Sequence, residues 1–468
     1  MLKKNDIIKL KIDDVTSEGY GVGRAEDGMA VFVPMTAPGD LAEVLLLKVG
    51  KSLAFGKATK LLAPSPARCA GGADAGSGIA PYDCAAFGRC GGCALRHISY
   101  DEEKKIKASW VRENFRRIGG FPLEDDAVDI FTTNSPDRYR NKALYPAGTT
   151  PDGKLHFGLY ASRSHRVVAC KDCLLEPEFY GNIVEAAAKY CNEAGLTAYE
   201  DGTRPGGIVR HLYIRDARAT GEVSVSLIVF GDKIPSPDRF ADAVCEACPG
   251  VVSVSLIVNK KPGNEILGDK VILLRGKDTI TDELCGLRFE ISPLSFYQVN
   301  RDGAELLYTL AANGSKLTPD SVLFDLYCGA GTIGLSFAKL CGAKSLYGVE
   351  IIPAAVENAK KNAASNGFEN ATFFCGDAGE AAVRLAGEGV RPDIVVVDPP
   401  RKGCGPDVFR AVEQMMPARI TMISCNSATG ARDARLFADL GYSIDRIFAV
   451  DMFPRTAHVE TVVFLSRA

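Results

Sequence analysis

Excess positive charge is missing from this sequence: 55 Lys and Arg stand against 58 Asp and Glu, a formal net charge of −3. That excludes binding to nucleic acid through the overall field, so any such contact has to come from local patches. Long hydrophobic runs are missing too. The longest, such as Val223–Phe230, are far too short to cross a bilayer, so no membrane partner is expected. The opening residues, MLKKNDIIKLKI, alternate charge with aliphatics and lack the apolar stretch of an export signal. Internal repeats are absent, which excludes a repeat architecture.

Cysteine is present in quantity, with fifteen in the chain. Without an export signal the expected location is cytoplasmic, and the thiols read as metal ligands, catalytic groups or packing rather than disulfides. At 468 residues the chain exceeds what one hydrophobic core supports, so two or three domains are expected.

Three stretches differ in pattern. Residues 1–64 read as short strands (Ile7–Ile12, Ala30–Val33, Leu41–Lys48, Ala54–Leu62) punctuated by Gly19, Gly21, Gly23 and Pro38-Gly39, as in a small β-barrel. Residues 65–295 begin with a proline linker and a small-residue insert from Cys69. A cysteine cluster and a helix over Tyr100–Ile118 follow, then an α+β section with strands at Leu212–Asp216, Glu222–Phe230 and Val251–Asn259 and a helix near Pro177–Ala194. From 296 to 468 strands and helices alternate regularly, which marks a parallel sheet with crossover helices. Its strands are Val322–Tyr327, Ser345–Glu350, Ala371–Cys375, Asp393–Asp398 and Arg419–Ser424. Ser443–Asp451 and His458–Leu465 then close it as an antiparallel pair. Five parallel strands ending in a hairpin suit a class I (Rossmann-like) methyltransferase better than a dinucleotide dehydrogenase.

Asp325-Leu-Tyr-Cys-Gly-Ala-Gly-Thr-Ile-Gly334 sets glycines at 329, 331 and 334 just after the first of these strands. That spacing lets backbone approach a ligand closely, for NAD as well as for S-adenosylmethionine. Glu350 ends the next strand, where a carboxylate can accept hydrogen bonds from two ribose hydroxyls. Asp377 reads equally as an adenine contact or an exposed loop acid. Asp398-Pro-Pro-Arg401 is more discriminating: two prolines leave a rigid shelf at the sheet's carboxyl edge. An aromatic after the prolines would suit amine methylation on a stacked base; Arg401 there points to another target.

That makes an amino group the less expected target. A pyrimidine C5 carbon is too weak a nucleophile to accept a methyl group unaided, but thiolate addition at C6 makes C5 enolate-like. Cys425, at the end of a buried strand and before a helix N-terminus that favours a thiolate, fits that role. A base must then take the C5 proton. Glu460 fits, although a strand-end carboxylate is by default only solvated; His458, one of five histidines, is the substitute. The cluster Cys84-x5-Cys90-Gly-Gly-Cys93 supplies three thiolates, with Cys170 and Cys173 as candidates for a fourth. Sulfur-only ligation suits zinc or an iron–sulfur cluster.

Ser424-Cys-Asn-Ser-Ala-Thr-Gly-Ala-Arg-Asp433 resembles the S-C-N-P-x-T-x-x-R-D signature of the RNA uracil-5-methyltransferases of the RumA/TrmA family. Val450–Glu460, Ser295–Asn300 and Tyr139-Arg-Asn-Lys142 match further motifs of that family. The resemblance implies that Cys425 is the nucleophile and Glu460 the proton acceptor. It also implies that Gln298, Tyr327, Glu350 and Asp398 contact S-adenosylmethionine. Ser427 stands where the family has proline, which bears on how rigidly Cys425 is held. The cysteine pattern resembles the [4Fe–4S] site of the ribosomal branch, which the transfer-RNA branch generally lacks, and it implies Cys84, Cys90, Cys93 and Cys173 as ligands. The first domain resembles a TRAM domain of the OB type.

The expected activity is therefore methylation of uracil C5 in a loop or bulge of 23S ribosomal RNA, by a monomer with no DNA partner. A transfer-RNA uracil methyltransferase, a cytosine-5 methyltransferase and a non-enzymatic RNA-binding iron–sulfur protein are the competing readings. Lys3, Lys4, Lys9 and Lys11, with Arg204, Arg210, His211 and Arg215, are the expected basic contacts to RNA.

Overall fold

The computed structural model describes residues 2–69, 83–200 and 207–467. Arg204 and the insert from Ala70 onward lie outside the described residues.

Strands β1 (Ile7–Lys11), β2 (Asp14–Val15), β3 (Tyr20–Arg24), β4 (Ala30–Pro34), β5 (Leu41–Val49) and β6 (Leu53–Ala63) form one sheet in the order β1-β5-β6-β4-β3-β2. It wraps around Leu10, Val31, Val33, Val44 and Leu46. The sequence reading takes the glycines at 19–23 as turns, yet two of them lie within β3. A Cβ on Gly23 would sit 2.0 Å from the Lys11 carbonyl oxygen, and one on Gly21 would sit 2.0 Å from Thr36 Oγ1, so one glycine lets two backbones touch and the other makes room for a side chain. Lys3, Lys4, Lys9 and Lys11 all face solvent.

Helix α1 (Tyr100–Arg117) and strand β7 (Asp129–Phe131) come next. The central sheet has the order β10-β9-β8-β11-β12-β13-β14, built from β8 (Lys142–Thr149), β9 (Leu155–Tyr160), β10 (Val167–Ala169), β11 (Val209–Ala217), β12 (Glu222–Val229), β13 (Val251–Val258) and β14 (Lys270–Gly276). Helices α2 (Tyr180–Glu193) and α3 (Pro237–Ala247) cover one face through Ile183, Ala187, Phe240 and Val244. The basic cluster expected here turns inward. Arg210 is buried and donates to the carbonyls of Lys261 (2.6 Å) and Gly263 (3.2 Å), and His211 is buried beside it. Arg215 is buried and donates to Ser295 O at 2.9 Å. Arg210 and Arg215 thus strap loops to the sheet, their guanidinium groups taken up by backbone carbonyls.

A hairpin, β15 (Ile280–Leu284) and β16 (Leu287–Ile291), leads into the last unit: α4 (Arg301–Ser315), β17 (Val322–Leu326), α5 (Thr332–Cys341), β18 (Ser345–Glu350), α6 (Pro353–Ser365), β19 (Ala371–Cys375), α7 (Ala378–Gly387), β20 (Ile394–Val397), α8 (Pro406–Met415), β21 (Arg419–Ser424), α9 (Ser427–Asp439), β22 (Tyr442–Val450) and β23 (Glu460–Arg467). The sheet order is β19-β18-β17-β20-β21-β23-β22-β7. Its first five strands are parallel, and β23 runs antiparallel to both neighbours. This is the class I methyltransferase arrangement expected.

Both faces of this sheet are covered, so its strands are apolar throughout. Leu323, Ile394 and Val396 pack on one side; Phe324, Val395 and Val397 pack on the other. One expectation needs revision. α1 and β7 fall within 65–295, but Val111 and Phe115 of α1 join the core of the last sheet, and β7 pairs in parallel with Phe448–Val450. The 65–295 stretch is thus not a single structural unit. Among the described residues no helix is long and apolar enough to cross a membrane.

Candidate active site

The carboxyl ends of β17, β18, β20 and β21 open on one side of the sheet, and each carries a residue singled out from the sequence. Asp325 of β17 is fully buried; its Oδ2 accepts the Gly334 N–H at 2.8 Å. A Cβ at Gly334 would approach that oxygen to 2.8 Å, so only glycine lets α5 start this close to the strand. Burial pushes the Asp325 carboxyl up to about 8, and its Oδ1 has no partner among the described residues. The motif contains Asp325, but sequence alone assigns it no role. A buried acid with an orphan oxygen beside the glycine turn is the missed group.

Glu350 ends β18. Its two oxygens accept the N–H groups of Gly329 (3.1 Å) and Ile352 (2.9 Å), which fixes the carboxylate at the rim with lone pairs to spare. Tyr327 has φ +67°, and its hydroxyl accepts from Gly405 N at 3.4 Å. Gln298 lies close enough to the buried Tyr308 hydroxyl to lower its proton affinity, while Asp398 raises it. The Asn141 side chain donates to the Gln298 carbonyl at 3.0 Å, so two motifs far apart in sequence are stitched together at the site. Asp377 instead caps α7: its Oδ1 accepts from Gly379 N at 3.0 Å.

Cys425 occupies the turn between β21 and α9. Asn426 caps the helix by accepting Ala428 N at 3.1 Å, and Ser427 Oγ accepts from Asn114 of α1 at 2.7 Å. Where the family signature has proline, this chain thus holds the turn by a hydrogen bond. The rest of the signature braces the Asp-Pro-Pro-Arg shelf. Thr429 Oγ1 donates to Arg401 O (3.2 Å), Arg432 Nη2 to Lys402 O (2.9 Å), and Asp433 Oδ2 accepts from Cys404 N (2.7 Å).

Glu460 is buried at the start of β23, where Thr461 pairs with Ser424 and Glu460 itself with Val450. The ladder therefore sets it beside Cys425. Burial, and then Asp398, push Glu460 up to about 8; burial alone takes Asp398 to about 7. The Cys425 thiol goes up to about 11, chiefly through burial and then through Glu460 and Asp398. This shift runs against the thiolate that the helix N-terminus favours: desolvation and two carboxyls outweigh the opposing charge of Arg401. Arg401 is exposed at the mouth, with Nη2 3.2 Å from Nε2 of the exposed His458.

The model for the tRNA (Uracil-5-)-methyltransferase family matches residues 274–468, and that for the TRAM domain matches residues 2–59. An RNA methyltransferase of Halalkalibacterium halodurans is 38% identical over 467 residues, covering 99% of this chain and 98% of its own. One from Clostridium tetani is 35% identical over 465 residues, with 99% and 97% covered. The chain belongs to the RNA uracil-5-methyltransferase family. Among solved structures, the tRNA (uracil-54, C5)-methyltransferase of Pyrococcus abyssi, in complex with S-adenosyl-L-homocysteine, superposes with a TM-score of 0.74. It has 25% sequence identity and covers 98% of this chain and 99% of that one.

In this methyltransferase the cysteine loop packs beside β9 and β10. Cys84, Cys90 and Cys170 pack together around Ala86, Ala161 and Val168. Cys93 is within electrostatic reach of Cys84 and Cys90, and Cys173 of Cys170 and Cys93. Burial pushes the thiols of Cys93 and Cys170 up to about 12, and Gly92 N donates to Cys90 Sγ at 3.3 Å. Cys69 stands elsewhere, its thiol donating to Ile98 O at 3.1 Å. Among the described residues no three His, Cys, Asp or Glu side chains are grouped to hold a single metal ion. The donors are sulfur-only, partly buried and carried on a glycine-rich loop, which is the donor chemistry an iron–sulfur cluster takes.

Proposed function

We propose that the protein methylates C5 of a uridine in a loop or bulge of 23S ribosomal RNA, with Cys425 as nucleophile and Glu460 as proton acceptor. The observation that carries the chemistry is the convergence of Cys425, Glu460 and Asp398 on one sheet edge, where the charges of Glu460 and Asp398 raise the proton affinity of the thiol. Addition of Cys425 Sγ to C6 opens the C5=C6 bond and moves its electron pair onto C5 and the O4 carbonyl as an enolate. S-adenosylmethionine, when bound by Gln298, Tyr327, Glu350 and Asp398, supplies an activated methyl group for that carbon. Glu460 then removes the C5 proton, the electron pair restores C5=C6, and Cys425 leaves as thiolate. Arg401 favours both anions, since its charge lowers the proton affinity of Cys425 and of Glu460. A base inside a duplex cannot reach a half-buried thiol, which supports an unpaired target.

The cysteine loop supports ribosomal over transfer RNA, through its resemblance to the cluster-bearing branch. The full-length match to the Pyrococcus tRNA methyltransferase supports the transfer-RNA reading. Mass-spectrometric mapping of 5-methyluridine in a deletion strain separates the two. Loss from 23S RNA is expected, loss confined to transfer RNA assigns the other substrate, and no loss in either sinks both.

Cys84, Cys90, Cys93 and Cys173 hold a [4Fe–4S] cluster in this reading. Its role is structural, because no step above transfers an electron. Protein purified without oxygen is expected to contain iron and acid-labile sulfide in equal amounts. Cys173→Ser is expected to lose most of both and Cys170→Ser to keep them; the opposite result exchanges the two assignments.

A further inference from the structure

We infer that a buried ion cluster built on Glu103 and Lys107 positions Glu460, and so governs release of the methylated RNA from the enzyme rather than methyl transfer onto it. This rests on the covalent reading above.

The connection from β22 to β23 delivers Glu460 to the site. Within it Asp451, Met452, Pro454, Arg455 and Thr456 are all buried. From α1, Lys107 Nζ reaches Asp451 Oδ1 (2.8 Å), Glu103 Oε1 (2.8 Å) and the Phe453 carbonyl (3.1 Å). Glu103 Oε1 accepts the Arg455 backbone N–H at 2.7 Å, and its Oε2 lies 3.5 Å from Arg455 Nη1. The Tyr100 hydroxyl donates to Asp451 Oδ2 at 3.1 Å. The side chains of Glu103, Lys107 and Asp451 are wholly shielded from solvent.

Apolar residues would stabilise such a place as well or better, because burying ions costs more than packing carbon. What the ions add is direction. They hold backbone atoms of a segment in which Arg455, a non-glycine residue, keeps φ +68°. The opposite side of the segment is tied as firmly. Ala94 and Leu95, the first residues after Cys93, both donate to Arg455 O at 3.0 Å. Tyr139 donates to Pro454 O (3.0 Å), and Asn300 to Met452 O (2.9 Å). Helix α1, the exit of the cysteine loop and the segment carrying Gln298 therefore meet on the few residues before Glu460.

Cys425 is held by other bonds: Asn426 caps α9, and Ser427 accepts from Asn114, two turns beyond Lys107 on α1 and outside the ion cluster. Loosening the clamp therefore acts on proton removal and spares addition and methyl transfer. Lys107 is a positioning residue in this scheme, since it touches neither substrate nor reacting atoms.

Single-turnover reactions with uridine-containing RNA and labelled S-adenosylmethionine separate the steps. They report label joined to RNA, and label in RNA that stays bound to protein on a denaturing gel. Lys107→Met is expected to leave the first rate unchanged and to slow release on the order of 10²-fold, the loss that a small misplacement of a reacting group produces, so that methylated adduct accumulates. Tyr100→Phe removes one hydrogen bond from the clamp while keeping the ring. It is expected to show the same split at smaller size, and it decides the matter if Lys107→Met does not fold. Equal slowing of both steps, or of neither, overturns the inference. Glu460→Gln is the reference. If it traps adduct while Tyr100→Phe and Lys107→Met do not, the clamp has no such role; if Glu460→Gln itself traps none, the covalent reading fails first.

Discussion

Cys425→Ala is expected to lower kcat by about 10⁶, the scale of loss when a covalent nucleophile is removed. Transfer of labelled methyl to uridine RNA measures it. The size follows from the chemistry: without a bond at C6, uracil C5 has no enolate electron density, and nothing else at this sheet edge can create it. Adduct formation on 5-fluorouridine RNA should vanish in parallel, and an adduct that survives the substitution moves the nucleophile elsewhere. The wild-type rate of adduct formation should rise with pH between about 6 and 8, approaching tenfold per unit. The sign is set by two groups that are protonated at neutral pH. The thiol is pushed up to about 11, and the carboxyl beside it to about 8. Raising the pH frees either the thiolate itself or the carboxylate that can take its proton. A rate that falls across that range contradicts this arrangement.

Glu460→Gln is expected to lower turnover by about 10² to 10⁴, the usual contribution of a positioned base, and to do so at one step only. An amide in place of the carboxylate cannot accept the C5 proton, so the methylated uracil stays bonded to Cys425 and the adduct becomes visible without fluorine. With the Glu460 carboxyl already largely protonated at neutral pH, the amide changes little charge there, and adduct should form at about the wild-type rate. Slower addition together with slower release would show that Glu460 also deprotonates the thiol.

Much of the catalytic unit was legible because its strands are short apolar runs between glycines and prolines. Ser345–Glu350, Ala371–Cys375 and Arg419–Ser424 form the strands that their patterns predict. β3 is hidden because Gly21 and Gly23 read as turns, whereas their lack of a side chain makes room for Thr36 and for the Lys11 backbone. The inward turn of Arg210 and Arg215 had no local signal: a run of apolar and basic residues does not say which face of a sheet will be covered. The groups that raise the proton affinity of Cys425 have no local signal for a similar reason. The helix behind it is visible in sequence, but Glu460 and Asp398 reach it only through the ladder between β21 and β23 and the parallel pairing with β20. The clamp was invisible in the same way. Glu103 and Lys107 look like an ordinary surface pair one helical turn apart until Asp451 and Arg455 close over them.

Strand β7 at the outer edge of the catalytic sheet has a consequence for how the molecule is made. A ribosome delivers α1 and β7 long before their partner β22, so that edge of the sheet cannot be completed until β22 emerges. Contacts of such long sequence separation close slowly. The central sheet, whose strands are all made in between, can form while that edge waits. For the same reason the last 173 residues, 296–468, are not a removable module. Cut free, they would leave Asp451 facing no lysine and β22 with a bare edge.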